Sequence, residues 1–174
     1  MKMKKCIWLM LVLLTVCLLC YAAAEEDRGV KLNGEHFPDD VFWKTVKRFD
    51  RNDNGYLSAE EIERITVVDL QGKGAESLKG IEYLTSLEVL NCENNQLTEL
   101  DLSKNPNLTD LYLQGNQIKE LDISACPKLV ELVGKIERRT EDDPRMGKFD
   151  AFNGDALGCW MWIDSDVNLI TEAK

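Results

Sequence analysis

The segment FDRNDNGYLSAEEI, Phe49 to Ile62, carries oxygen donors at the spacing of a calcium cage. Asp50, Asn52 and Asn54 stand at the first, third and fifth places of a twelve-residue window. Gly55, Tyr56, Ser58 and Glu61 hold the sixth, seventh, ninth and twelfth. Calcium is a hard cation that gathers about six to eight oxygens at about 2.3–2.6 Å. Alternate side-chain oxygens can converge on one point, while the glycine permits the sharp turn. The Tyr56 carbonyl adds a ligand, Ser58 reaches the ion directly or through water, and Glu61 closes the shell with two oxygens. The same residues have a metal-free reading. Ser58-x-x-Glu61 is a capping box able to start the helix SAEEIERI, and Asn54-Gly55 is a turn signal by itself. That reading leaves unexplained the alternation of Asp50 and Asn52 and the apolar Leu57 at the eighth place. Calcium is therefore the expected cofactor. With only Asp50 and Glu61 anionic, the site should be weak, with a Kd of about 10⁻⁴–10⁻³ M. A second D-x-D-x-N start at 164–168 has neither the glycine nor a closing acid, and reads as an acidic turn.

Other chemistry finds little support. His36 is the only histidine, and Gly158-Cys159-Trp160 has a faint likeness to the surroundings of a thiol nucleophile without the rest of such a motif. Zinc spacings, phosphate loops and basic patches are missing from the sequence as well. No catalytic residue is assigned, and a thiol-dependent enzyme using Cys159 is kept as a remote alternative.

An internal repeat must position the calcium segment. LTSLEVLNCENNQLTELDLSKNPN, from Leu84, aligns without a gap on NLTDLYLQGNQIKELDISACPK, from Asn107. Leu87, Leu108 and Leu129 are 21 residues apart, as are Leu90, Leu111 and Leu132, and a looser copy begins at Ile65. Each L-x-L should form a short strand that stacks in parallel on the next. Asn95 and Asn116 should turn inward to satisfy backbone groups where the chain leaves the strand. Cys92 takes the place of Leu113 in the next copy and should be a buried small hydrophobe. Cys126 replaces Asn105 before a proline and should be more exposed; a Cys126–Cys159 bridge stays open. The pattern L-x-x-L-x-L-x-x-N-x-L resembles leucine-rich repeats, which implies a solenoid with one continuous core.

Both ends of so short a solenoid need covers. FPDDVFWKTVKRF predicts a helix with Phe42, Val46 and Phe49 on one face, and acids at its start and bases at its end as the helix dipole favours. Helix, loop and second helix, roughly Pro38 to Ile65, resemble an EF-hand, here a single one. At the other end CWMWI predicts a strand, with Trp160 and Trp162 sharing a face that covers a core edge or stacks on a sugar. The expected fold class is α+β. A helical cap over 32–65 leads into about four repeats over 65–137, followed by a C-terminal β cap over 138–174.

The opening MKMKKCIWLMLVLLTVCLLCYAAAEED has the basic, apolar and A-x-A regions of a secretory signal peptide over 1–24, with an uncleaved or lipid membrane anchor as the alternative. Cleavage would remove three of 21 basic residues and none of the 31 acidic ones, leaving a charge of −13. So acidic a chain does not suit nucleic acid or anionic membrane. The order of leader, F-P-D helix, calcium-type loop and repeats resembles secreted or surface leucine-rich-repeat proteins of bacteria. The resemblance spans about Leu32 to Val133 and implies an extracellular binding scaffold without a common enzymatic activity. The outward strand positions are Val67, Asp69 and Gln71; Val89, Asn91 and Glu93; Asp110, Tyr112 and Gln114; and Glu131, Val133 and Lys135. Asp69, Asn91, Glu93, Asp110, Tyr112, Gln114 and Glu131 form the expected binding face for a protein or glycan. A non-catalytic structural role in a surface assembly is the alternative.

Overall fold

The computed structural model describes residues 28–135, 139–143, 147–154 and 159–172. The leader expected at 1–24 lies outside them.

A short strand, β1 (Val30–Lys31), precedes helix α1 (Asp40–Val46). Asp39 starts this helix because its backbone is extended and its Oδ1 accepts from the Val41 and Phe42 amides at 2.9 and 2.8 Å, two donors that the helix leaves unpaired. Phe42 and Val46 are buried as the sequence predicts, and a 3-10 turn (Lys47–Phe49) leads into the Asp50 loop. Strand β2 (Tyr56–Leu57) and helix α2 (Ala59–Glu63) complete the cap. Phe37 joins the cap to the first repeat through edge-on contacts with Phe42 and Tyr83, centroids 5.8 and 5.9 Å apart. Gly80 makes room for it. At φ 105° a β-carbon there would lie 2.3 Å from the Phe37 ring.

The repeats follow. Strands β3 (Val67–Asp69), β4 (Val89–Asn91) and β5 (Asp110–Tyr112) pair in parallel, with Val68, Leu90 and Leu111 aligned and fully buried. Asn95 works at the corner as expected. Its Oδ1 accepts from the Gly74 and Ala75 amides, and its Nδ2 donates to the Leu70 and Cys92 carbonyls, all at 2.9 Å. Asn116 repeats the arrangement toward Leu97, Cys92 and Leu113. On the far side Asn105 donates to the Ile81 and Leu84 carbonyls. The returning segment is extended, with β6 (Glu120–Asp122).

Two expectations fail in the fourth copy. Glu131, Val133 and Lys135 are not on a strand: Pro127–Lys135 is helix α3, with Leu129 and Leu132 buried. Proline suits the first turn of a helix, where its missing N–H costs nothing. Residues three apart share a helical face, so α3 satisfies the same two leucines that the repeat period singles out. Cys126 is buried, not exposed. It extends the Asn105 corner by one repeat, its Sγ donating to the Leu102 and Asn105 carbonyls.

The strand slot beside β5 is filled by β9 (Cys159–Asp164), after an antiparallel pair β7 (Arg139–Asp143) and β8 (Gly147–Gly154). The sheet order is β3-β4-β5-β9-β8-β7, so the C-terminal β cap continues the solenoid sheet. Cys159, Met161 and Ile163 face the core and cover its edge. The tryptophans do not. Strand β10 (Asn168–Ile170) then pairs in parallel with β6 on the opposite side.

One carboxylate ties the cap to the solenoid. While Asp39 Oδ1 caps α1, its Oδ2 accepts from the Glu76 and Ser77 amides of the first repeat at 2.8 and 3.1 Å. Asp39→Ala should lower stability by about 2–4 kcal/mol, from a lost cap at about 1 kcal/mol and two partly exposed amide bonds at about 0.5–1.5 kcal/mol each. It should be read as a lower urea midpoint at unchanged slope, with Asp39→Asn losing less.

Candidate functional site

Two regions carry the residues singled out by sequence. The first is the loop between α1 and α2. Both oxygens of Asp50 turn inward, Oδ1 accepting from the Asn54 amide at 3.2 Å and Oδ2 from the Gly55 amide at 2.9 Å. Asn52 Oδ1 accepts from the Asn54 amide, and Asn54 Oδ1 from the Tyr56 amide. Gly55, at φ 81°, supplies the turn. Glu61 returns from α2, its Oε1 accepting from the Arg51 amide at 2.9 Å and its Oε2 from the Ser58 amide at 3.0 Å. Ser58 Oγ accepts from the Glu61 amide, so the capping box forms in full and shares Ser58 and Glu61 with the loop. Leu57, at the eighth place, is fully buried.

β2 does not stand alone. Val30 pairs with Leu57 and Lys31 with Tyr56, antiparallel, and the Leu32 amide donates to the Gly55 carbonyl. The chain therefore supplies from its own N-terminal side a strand partner for the lone loop.

The donor chemistry fits a hard cation. Asp50 and Glu61 are both nearly buried, and neither makes an ion pair among the described residues. Both carboxylates are held by backbone N–H bonds and present negative charge to the loop. The Asp50 oxygens and the side-chain carbonyl oxygens of Asn52 and Asn54 each have a second lone pair beyond the N–H bond they accept, while Glu61 Oε2 already accepts from both the amide and the hydroxyl of Ser58. No group of three or more His, Cys, Asp or Glu side chains able to hold a metal occurs among the described residues. A cation at this loop would thus rely on amide, carbonyl and hydroxyl oxygens around two charges, which suits calcium and excludes a thiolate or imidazole site.

The second region is the outward strand face. In-register pairing places Val67, Val89, Asp110 and Trp160 in one row and Asp69, Asn91, Tyr112 and Trp162 in the next. Trp160 and Trp162 occupy the places expected for the fourth repeat, while Glu131 lies on α3, ion-paired with Lys135 at 2.6 Å. Gln114, expected outward, is fully buried. Its Nε2 donates to Glu93 Oε1 at 2.5 Å, and Gln71 Nε2 donates to the other oxygen at 2.6 Å. Glu93 is thus held between two amides. The alternation in CWMWI marks β9 as a strand, but nothing local shows that it skips α3 and the β7–β8 pair to join β5.

The acidic turn at 164–168 has work of its own. Asp164 accepts from the Gly115 and Asn116 amides at 3.0 and 3.1 Å, and Asp166 is ion-paired with Lys119. The three cysteines Cys92, Cys126 and Cys159 are free and buried. Burial, with Asp110 adding to it, pushes the Cys159 thiol up, and its Sγ donates to the Lys128 carbonyl. His36 sits in the N-terminal cap, bonded to Asn33 and beside Tyr83. A buried thiol with a raised pKa is a poor nucleophile.

Parallel strands joined by asparagine-lined corners over one continuous core define a leucine-rich-repeat solenoid. The chain is similar to internalins of Listeria monocytogenes. It is 37% identical over 70 residues to internalin J of the serotype 4b strain F2365, across 40% of this chain and 8% of that protein. The solved functional domain of internalin J, which includes a cysteine ladder, matches 57% of this chain at 33% identity and a TM-score of 0.50. Internalin C2 of strain 4b F2365 matches 59% at 26% identity, also with a TM-score of 0.50. This chain spans 22% and 46% of those two solved chains. No family model matches it. No helix among the described residues is long and apolar enough to cross a membrane.

Burial acts to raise the Glu61 pKa, but hydrogen bonds from Ser58, Arg51 and Asn52 outweigh it and hold the carboxyl below its ordinary value. The unfolded chain then binds the proton more readily than the folded one. Glu61's contribution to stability is complete above the unfolded carboxylate value of about 4.3 and is lost as the pH falls through the lower folded value. Glu61→Gln should be less stable at pH 7, with a shallower loss of melting temperature on acidification below about pH 5. Melting curves across that range check it.

Proposed function

We propose that the chain is a secreted, calcium-stabilised leucine-rich-repeat binding module with no catalytic activity, and that its outward strand face takes a protein or glycan partner. The observation that carries the binding reading is the aligned row Asp69, Asn91, Tyr112 and Trp162, whose side chains stand on the sheet face opposite the core. Val67, 52% exposed, continues that face toward the N-terminal cap. Acidic and aromatic groups on a rigid sheet provide the few anchored contacts that dominate binding energies. The calcium reading rests on the two buried carboxylates of the loop and their surrounding oxygens. The secreted location rests on the leader-like opening and the resemblance to surface proteins.

The cation acts here as a clip. At about millimolar calcium, a site with a Kd of 10⁻⁴ M stabilises the fold by about 1.4 kcal/mol. Titrating calcium to a few millimolar should raise the melting temperature of the protein and leave that of Glu61→Gln unchanged. The absence of any shift in the unaltered protein defeats the calcium site. The binding face has a separate check: a captured partner should be lost on Tyr112→Ala and Asp110→Ala. Retention by both variants removes the face.

A further inference from the structure

The outward face is not uniform, and its chemistry names the partner more closely. Tyr112 and Trp162 are adjacent in register, their rings tilted at 53° with centroids 6.3 Å apart. Trp160 lies across from Asp110 on the neighbouring row. Two carboxylates border the aromatic pair. Asp110 is two residues from Tyr112 on the same strand and accepts from Thr109 Oγ1 at 2.7 Å. Glu93 is fixed by Gln71 and Gln114 at the end of the preceding strand. Both are half-exposed, and neither is ion-paired among the described residues. Burial first, and then the charges of Asp110 and Glu93, push the Tyr112 hydroxyl above its ordinary value.

We propose that this patch binds a lysine- or arginine-bearing segment of a protein, its cationic head over the Tyr112–Trp162 pair and between the carboxylates of Asp110 and Glu93. Aromatic faces attract a cation placed within about 6 Å of the ring centroid, and flanking carboxylates add to the same field. The other occupants gain less. A neutral sugar can stack on the rings but draws nothing from the carboxylates. An acidic peptide is repelled, and so is a second copy of this chain, whose charge is −10. The inference rests on the binding reading of the strand face and is independent of calcium.

Panning a random-peptide phage library on the immobilised protein tests it. Selected peptides should be enriched in lysine and arginine, and their binding should weaken as salt is raised. Asp110→Asn and Tyr112→Leu should each weaken them by about two- to five-fold, with melting temperatures confirming that both variants fold. Asp110→Asn preserves shape and so isolates the charge. Selected peptides without basic enrichment, yet weakened by Tyr112→Leu, overturn the cationic partner and leave the face standing. Chito-oligosaccharide binding that depends on Tyr112, without peptide binding that does, assigns the face to glycans and overturns the proposal. No peptide or sugar sensitive to either variant overturns both the proposal and the binding face.

Discussion

The solenoid depends on one constraint: backbone groups stranded at each corner, where the chain leaves a strand and turns into the core, must find partners. A buried amide or carbonyl without a partner costs about 1–3 kcal/mol, and each corner strands several. Asn95 answers four of them with one side chain, because an amide both donates and accepts. An Asp at that corner could accept but not donate, and a Leu could do neither. Asn95 and Asn116 return to that corner 21 residues apart. At the last strand a carboxylate, Asp164, takes the two amides at Gly115 and Asn116.

This constraint explains how far the repeat could be read. Three strands were legible from the apolar period, and two of their corners because Asn95 and Asn116 keep the same place in consecutive copies. The fourth copy keeps Leu129 and Leu132 on the period and lacks the corner asparagine. Leucines three apart serve a helix as well as a strand, so periodicity alone could not separate the two. With Pro127 opening the segment, the chain turns to α3, and β9, richer in strand-forming residues, takes the vacated slot. That exchange brings tryptophans onto the outward strand face, which no local pattern shows.

The cap divides in the same way. Its loop oxygen donors, its capping box and the buried side of α1 lie within a few residues of one another, and their spacing carries the information. The two contacts that integrate the cap are long-range. A two-residue strand such as β1 is too short to have a period. The pairing of Asp39 with amides 37 and 38 residues away leaves no trace beyond an aspartate already explained as a helix cap. One side chain with two roles shows only the nearer one in the sequence.

Those two contacts also bear on what a cation at the loop can do. A two-stranded ribbon is marginal by itself, so the order of β1 and β2 must come from the loop and from the packing of Leu57. The loop in turn holds two nearly buried carboxylates with its own N–H bonds, which at Glu61 outweigh the effect of burial. A bound cation would add to these bonds and tighten loop, ribbon and α2 together. Its worth, about 1.4 kcal/mol at tenfold the Kd, falls well short of the roughly 5.5 kcal/mol needed to invert a two-state equilibrium from 1:99 to 99:1. The cap is meanwhile fastened to the repeats by Asp39 and Phe37, neither of which is a ligand. A cation bound at this loop with that affinity would therefore reinforce a cap that is already docked and would lack the energy to dock or release one.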